Sequence, residues 1–281
     1  MTLSLSVTLL VLLAALFHAS WNALVKVEAD RFLAIGLINA ATGVMGTALV
    51  LLAPPMRLEA WVYLGPSLIV QQIYVLILVQ TYRMADLSLV YPLARGTAPL
   101  TVVVLSLVLL GDALPGTKLA GVAAVSVGIL SLAWHRALLR QGRWRPVALA
   151  LGNGVLIGIY TLLDGKGVRA GGNPLAYGGW LFVGYGLPWL LILAWARRAK
   201  LRHWERQWTW LVLAGGGLCC AAYLLVVWAL SLQAAAPVSA LRETGVIFAA
   251  LLGTLLLKEP FGLRRIAAAS LVAAGVLLIS L

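Results

Sequence analysis

Apolar runs of about twenty residues recur along this chain, separated by short turns that hold nearly all of its charge. Each run is long enough to cross a ~30 Å hydrocarbon core at about 1.5 Å per helical residue. In that core every backbone N–H and C=O must be satisfied within the protein, so only helices and closed barrels span it. Long continuous runs, without ten-residue alternation, exclude an outer-membrane barrel. The chain is 62% hydrophobic and 11% charged, where a soluble domain carries about 25% charged residues. The expected class is therefore all-α membrane protein.

Ten spans are expected: Leu3–Val25, Phe32–Ala53, Ala60–Thr81, Leu87–Leu110, Leu119–Trp134, Val147–Leu163, Pro174–Trp195, Trp208–Leu230, Pro237–Leu257 and Ile266–Leu281. Pro54-Pro55, Gly111 to Lys118, Gly171 to Pro174 and Lys258-Glu259-Pro260 supply the breaks. Trp61, Trp134, Trp195, Trp208 and Trp210 stand at span ends, where interfacial tryptophans belong. The first run lacks a basic leader and a small-residue cleavage site, so it is expected to be a retained helix. Cys219 and Cys220 are adjacent in an apolar run and read as packing residues rather than a metal site or a disulfide.

One stretch is written twice. Shifted by 147 positions, Arg95 falls on Arg242, Thr97 on Thr244, Asp112 on Glu259, Lys118 on Arg265 and Gly128 on Gly275. Matched Leu and Val would be cheap here, whereas matched charges at fixed spacing are not. The expected organisation is a first five-helix repeat over 1–134, a basic loop over 135–146 and a second five-helix repeat over 147–281. Five is odd, so the second copy enters the membrane the other way up. This 5+5 inverted-topology repeat is typical of secondary transporters, which bind substrate near midplane. Small residues at helical spacing (Asn39, Gly43 and Thr47; Ala124 and Gly128; Ser270 and Ala274) mark helix–helix seams.

The net charge of +12 lies in the loops, where it sets orientation rather than binding nucleic acid. Of the 21 Lys/Arg, fifteen follow odd-numbered spans and four follow even-numbered ones. The positive-inside rule then places both termini outside the cytoplasm.

Arg95 and Arg242 are the two basic residues within spans. Ionisable groups at membrane depth face a cavity or a partner and are functional candidates by default. They lie ~12 Å and ~8 Å into spans of opposite direction, so they flank the midplane. Pro92 and Pro99 surround Arg95 and Pro237 precedes Arg242; interrupted helices at matching positions point to a transport site, though each arginine is equally suited to tying down a broken helix. Glu243 is the intramembrane carboxylate and coupling candidate, or a counter-charge to an arginine on another helix. It points about 100° from Arg242 on a helix, so the two neighbours need not pair. In the first span His18, Trp21 and Asn22 share a face; the sixth offers Tyr160, Thr161 and Asp164. Gln71 and Tyr74 form a polar stripe on the third span, and Tyr223 lies in the eighth. Interhelical packing competes with cavity lining at each of these positions. Asp112, Lys118, Glu259 and Arg265 read as hairpin caps.

Asp164-Gly165-Lys166-Gly167 looks like a phosphate loop, but Gly158 is at the wrong spacing and no Ser/Thr follows Lys166. There is no HExxH, no GxSxG and no cysteine–histidine cluster. No metal and no cofactor are expected. A membrane-embedded enzyme acting on a lipid-like substrate would need such a constellation. A non-transporting partner subunit would need larger loops. Both readings are weaker than a carrier.

His18-Ala-Ser-Trp21-Asn22, Tyr91-Pro-Leu-Ala-Arg95-Gly-Thr and Leu257-Lys-Glu259-Pro260 resemble the EamA family of the drug/metabolite transporter superfamily. The subgroup with this arginine motif is similar to DUF6-type proteins linked with phosphonate use. The resemblance implies a ten-helix carrier of the bacterial inner membrane that moves amino acids, metabolites or drugs, usually outward, by exchange or proton coupling. It favours Trp21, Asn22, Arg95, Tyr160 and Arg242 as cavity positions. Family members are drawn with cytoplasmic termini, whereas the loop charges here say the reverse. The expected function is a secondary active transporter, exporter or exchanger, of a small polar metabolite. Two arginines against one carboxylate favour an anionic one.

Overall fold

The computed structural model describes residues 5–28, 30–84, 87–133, 144–203, 206–257 and 262–281. Among them every regular element is helical: α1 Leu5–Val27, α2 Arg31–Leu52, α3 Trp61–Met84, α4 Leu87–Leu110, α5 Gly116–Leu132, α6 Trp144–Gly171, α7 Pro174–Ala196, the short α8 Arg198–Leu201 and α9 Arg206–Trp210, α10 Gly216–Leu232, α11 Ala235–Arg242, α12 Gly245–Leu257 and α13 Leu263–Ser280. A π-turn, Leu211–Gly215, joins α9 to α10. Eight stretches are long and apolar enough to cross a membrane, where ten were expected; the other two are the shorter apolar helices of α5 and α13. Trp134, most of the inter-repeat loop and the Lys258-Glu259-Pro260 hairpin lie outside the described residues.

Two boundaries differ from the sequence reading in ways that matter. The sixth span was expected to stop at Leu163, but α6 runs 28 residues to Gly171. Gly165 and Gly167 do not break it, because a membrane helix tolerates glycine where neighbours pack against it: Tyr177 lies within 2.6 Å of a Cβ built at Gly167. Asp164 therefore sits inside the helix. Interruption was also expected at both arginines, yet α4 continues through Pro92 and Pro99. The break falls only in the second copy, between α11 and α12, where Glu243 and Thr244 turn on three-residue bonds to Ala240 and Leu241 at 3.1 Å each. Pro237 sits in the first turn of α11, where its missing N–H costs nothing.

The outer surface is what a bilayer requires. Leu51, Leu52, Leu191 and Trp195 are exposed, an arrangement costly in water and favourable against lipid. The inner seams are small-residue contacts. α2 packs on α7, α5 on α13, α4 on α6, α3 on α6, α1 on α10 and α1 on α12. At the α2–α7 crossing the backbones of Gly43 and Gly186 touch, and a Cβ at Gly186 would lie 2.5 Å from Gly43 Cα. At the α5–α13 crossing a Cβ at Gly121 would lie 2.7 Å from the Gly275 carbonyl oxygen. Cys219 and Cys220 are free thiols.

The ends of the bundle are tied by polar contacts. Asp30 caps α2 through the Leu33 N–H at 3.1 Å and accepts from Lys200 Nζ at 2.5 Å, with Arg197 Nε at 3.8 Å. At the opposite ends of α2 and α7, Asn173 donates to the Pro54 carbonyl at 2.6 Å and Arg57 N–H to the Gly171 carbonyl at 3.1 Å. The Lys200 hydrogen bond, followed by that of Leu33, holds the Asp30 carboxyl below its ordinary range.

Gly186→Val is expected to cost ~1–3 kcal/mol by overpacking, read as a lower Tm of the purified protein. Gly65→Ala, with open space around the new methyl, serves as control. Asp30 has a depressed folded-state pKa, so its contribution is present above about pH 4 and is lost as pH falls through the folded value. The site is partly exposed, so the effect stays below ~1 kcal/mol. Thermal melts of wild type and Asp30→Asn should differ at neutral pH and converge as pH falls below the ordinary carboxylate range.

Candidate functional site

Arg95 lies mid-way down α4, and Arg242 closes α11 at the helix break. Glycine brings their helices into contact with the rest. Gly154 and Gly158, one turn apart on α6, leave room for Thr97 and Thr101 of α4, so α6 lies close against the Arg95 turn. Gly245, at the start of α12, meets the Ala15 backbone of α1 one turn before His18. The matched threonines bond back to their own helices, Thr97 to Leu93 and Thr244 to Leu241, both at 2.7 Å. Pro99 offers no N–H to the Arg95 carbonyl four residues earlier.

Both guanidinium groups meet Glu243. Its Oε2 is 2.5 Å from Arg95 Nε, and its Oε1 accepts from Arg242 Nη2 at 3.4 Å. All three are buried: 5% of Arg95, 4% of Arg242 and none of Glu243 is exposed. The expectation that Glu243 points clear of Arg242 thus fails. The Glu243 backbone is still in the right-handed helical region, so side-chain reach brings the two neighbours together, and the chain breaks just after them. The Arg95 contact is ionic rather than a well-aligned hydrogen bond. Among the described residues, Arg95 Nη2, Arg242 Nε, Trp21 Nε1 and Ser239 Oγ are buried without a hydrogen-bond partner. Two cations against one anion leave the cluster with a net positive charge. An isolated buried charge costs several kcal/mol, so the carboxylate between them is what makes the burial tolerable.

Other expected site residues gather around this cluster or just beside it. The Tyr91 ring stands 5.6 Å from the Arg95 guanidinium. His18, half-buried, and Tyr160, buried, both lie within the electrostatic reach of Arg95 and Arg242. His18 and Trp21 make an edge contact at 5.3 Å, and Tyr160 makes one with Tyr74 at 6.0 Å. Asn22 is turned away from the cluster, its amide donating to the His18 carbonyl at 2.7 Å. Asn153 fixes the Tyr74 turn, its amide donating to the Tyr74 carbonyl at 3.1 Å and accepting from Leu78 N–H at 3.3 Å.

Gln71 and Tyr223 belong to a second network, which the sequence reading did not isolate. Its centre is Asp164, fully buried. Ser67 donates to Oδ1 at 2.5 Å, Tyr177 to Oδ1 at 3.0 Å and Tyr223 to Oδ2 at 2.5 Å. Gln71 Nε2 donates in turn to Ser67 Oγ at 3.0 Å. The available signals were two i, i+4 pairs, Ser67/Gln71 and Tyr160/Asp164, but an expected helix end at Leu163 left Asp164 in a loop.

Glu243→Gln removes the charge that Arg95 and Arg242 share. The variant is expected to lose ~3–5 kcal/mol of stability, seen as a large fall in Tm. Arg95→Met combined with Glu243→Gln should recover part of that loss, because it leaves one buried cation in place of two.

Residues 144–281 match the EamA-like transporter family. No curated protein sequence matches the chain. A solved crystal structure of a protein with 16% sequence identity matches over 98% of this chain and 98% of its own, with a TM-score of 0.72; at that identity the likeness is one of fold. The match over residues 144–281 supports the EamA family of the drug/metabolite transporter superfamily.

Proposed function

We propose that this protein is a secondary active transporter of a small, polar, anionic metabolite, an exporter or exchanger of the bacterial inner membrane. It works by alternating access around the Arg95–Glu243–Arg242 cluster. The carrying observation is that arginines from matching positions of the two sequence copies meet over a single carboxylate, with buried donors left unpaired. Unpaired buried polar groups are costly. A carboxylate or phosphonate-like oxyanion would satisfy Arg95 Nη2 and Arg242 Nε and cancel the remaining charge. Trp21, Tyr160, Tyr74 and His18 form the surrounding wall, and Asn22, Gln71 and Tyr223 support it. In this reading Glu243 acts as counter-charge to the arginines rather than as the coupling group.

The architecture we infer is the 5+5 inverted repeat, with halves over 1–134 and 147–281 joined by 135–146. Exchange of the halves sends α1 to α6, α2 to α7, α3 to α9–α10, α4 to α11–α12 and α5 to α13. That exchange maps the α2–α7 and α5–α13 seams onto themselves. It carries α4–α6 onto the contact of α1 with α11–α12, and α3–α6 onto α1–α10. A packing scheme that returns itself under the swap supports two like halves rocking about shared seams. The excess of basic residues after odd-numbered spans favours termini outside the cytoplasm.

Proteoliposomes with the full chain should accumulate one of a panel of phenylphosphonate, glutamate and alanine, tested with and without a pH gradient. Arg95→Ala and Arg242→Ala should each reduce the saturable rate by at least about a hundredfold, the scale of a lost charge-assisted contact, while still inserting in the membrane. Unaltered rates in both variants would remove the arginines from the site. Preference for cationic compounds would overturn the anionic reading.

A further inference from the structure

Asp164 poses a problem that the arginine cluster does not answer. It is a carboxylate at membrane depth with no exposed surface, and among the described residues its hydrogen-bond partners are three hydroxyls and no cation. The charged and titratable groups around it are accounted for element by element. On α3 it meets Ser67, backed by Gln71. On α7 and α10 it meets Tyr177 and Tyr223. Arg242, beyond α11, acts on it only through space. On its own helix, Tyr160 is one turn away, and Lys166 lies about 200° around the axis. Arg169 is spent on the Leu230 carbonyl at 2.7 Å and the Gln233 carbonyl at 3.2 Å. An ionised carboxylate so placed has only neutral dipoles to offset its desolvation, and buried carboxylates in membrane carriers are recurrent proton sites.

We propose that Asp164 is the proton-binding site of this carrier; the assignment rests on the transporter reading above. A proton delivered by hydronium forms an O–H bond on one carboxylate oxygen, leaving water and a neutral acid. The same bond breaks when the proton leaves to the other side. Donor counting gives the mechanical consequence. Oδ1 now accepts from both Ser67 and Tyr177, and a protonated oxygen keeps room for one donor. Ser67 already accepts from Gln71, and reversing its bond to Asp164, although its second lone pair could accept it, would take from the Ser67 proton the acceptor it now has. Protonation at Oδ1 therefore weakens the Ser67 or Tyr177 bond. The Ser67 bond joins α3 of the first half to α6 of the second, one of the flanking contacts that would change as the halves rock. Tyr223, half-buried and within reach of both Asp164 and Arg242, couples the proton site to the anion site.

The test uses the full chain in lipid nanodiscs, followed by infrared spectroscopy from about pH 8.5 to about pH 5. A carboxylic-acid C=O band should grow as pH falls and be missing from Asp164→Asn. Ser67→Ala should keep the band and move its midpoint by about one pH unit. The proposal is overturned if no such band appears in wild type or if the Asn variant retains it. Asp164→Asn preserves shape and removes the titratable group, so a merely structural role predicts an unchanged pH response in tryptophan fluorescence, which would also overturn it. The transport panel separates the two readings. Wild-type carriage indifferent to a pH gradient overturns the proton site alone, whereas absence of carriage with the band present overturns the carrier reading.

Discussion

Two guanidinium groups share one carboxylate inside an apolar bundle, and much of the structure follows from making that arrangement possible. Neither arginine is tolerable alone at this depth, since a lone buried charge costs several kcal/mol. Arg95 comes from a continuous helix, while Arg242 and Glu243 are adjacent in sequence. On an unbroken helix those neighbours would diverge by about 100°. Side-chain reach bridges that offset, the chain breaks just beyond Glu243, and glycines on α6 and α12 let α4 and α1 close around the cluster. The break, the glycines and the ion cluster are thus one design rather than three features.

The seams obey a separate economy. Without a hydrophobic drive between helices in lipid, association depends on close backbone approach. Gly43 against Gly186 and Gly121 against Gly275 supply it at two crossings, which under the proposed repeat join equivalent helices. A crossing between equivalents lies on the axis that would relate them, so movement about it alters the flanking contacts while leaving the axis in place. The arginine cluster and the Asp164 network both lie at flanking contacts, α4 with α11 and α3 with α6. Groups meant to respond to movement belong there.

The apolar runs, the Gly43 and Gly128 seams and the placing of Arg95, Arg242 and Glu243 within membrane spans were legible in the sequence. A charged residue in an apolar run and a small residue at helical spacing each carry a local signal. What was not legible depended on tertiary support. The sixth span was expected to end at Leu163, yet packing by Tyr177 against Gly167 carries α6 onward and buries Asp164. Prolines read as breaks at both arginines, but Pro92 and Pro99 sit in a helix held by its neighbours, whereas the real break follows Arg242, where no proline stands. The repeat itself encouraged that error, because matched residues suggested matched backbones.

The two intramembrane carboxylates differ in kind, and the difference bears on how such a carrier divides its labour. Glu243 faces two cations, so changing its charge disturbs a cluster that an anionic substrate would also use. Asp164 faces hydroxyls, each of which both donates and accepts. Such a shell can give up one hydrogen bond to a neutral acid without leaving an uncompensated charge behind. A fixed counter-charge and a reversible one are therefore best kept apart but in contact. Tyr223 and Tyr160, placed between Asp164 and Arg242, provide a contact through which the state of one site is felt at the other without the two sharing an atom.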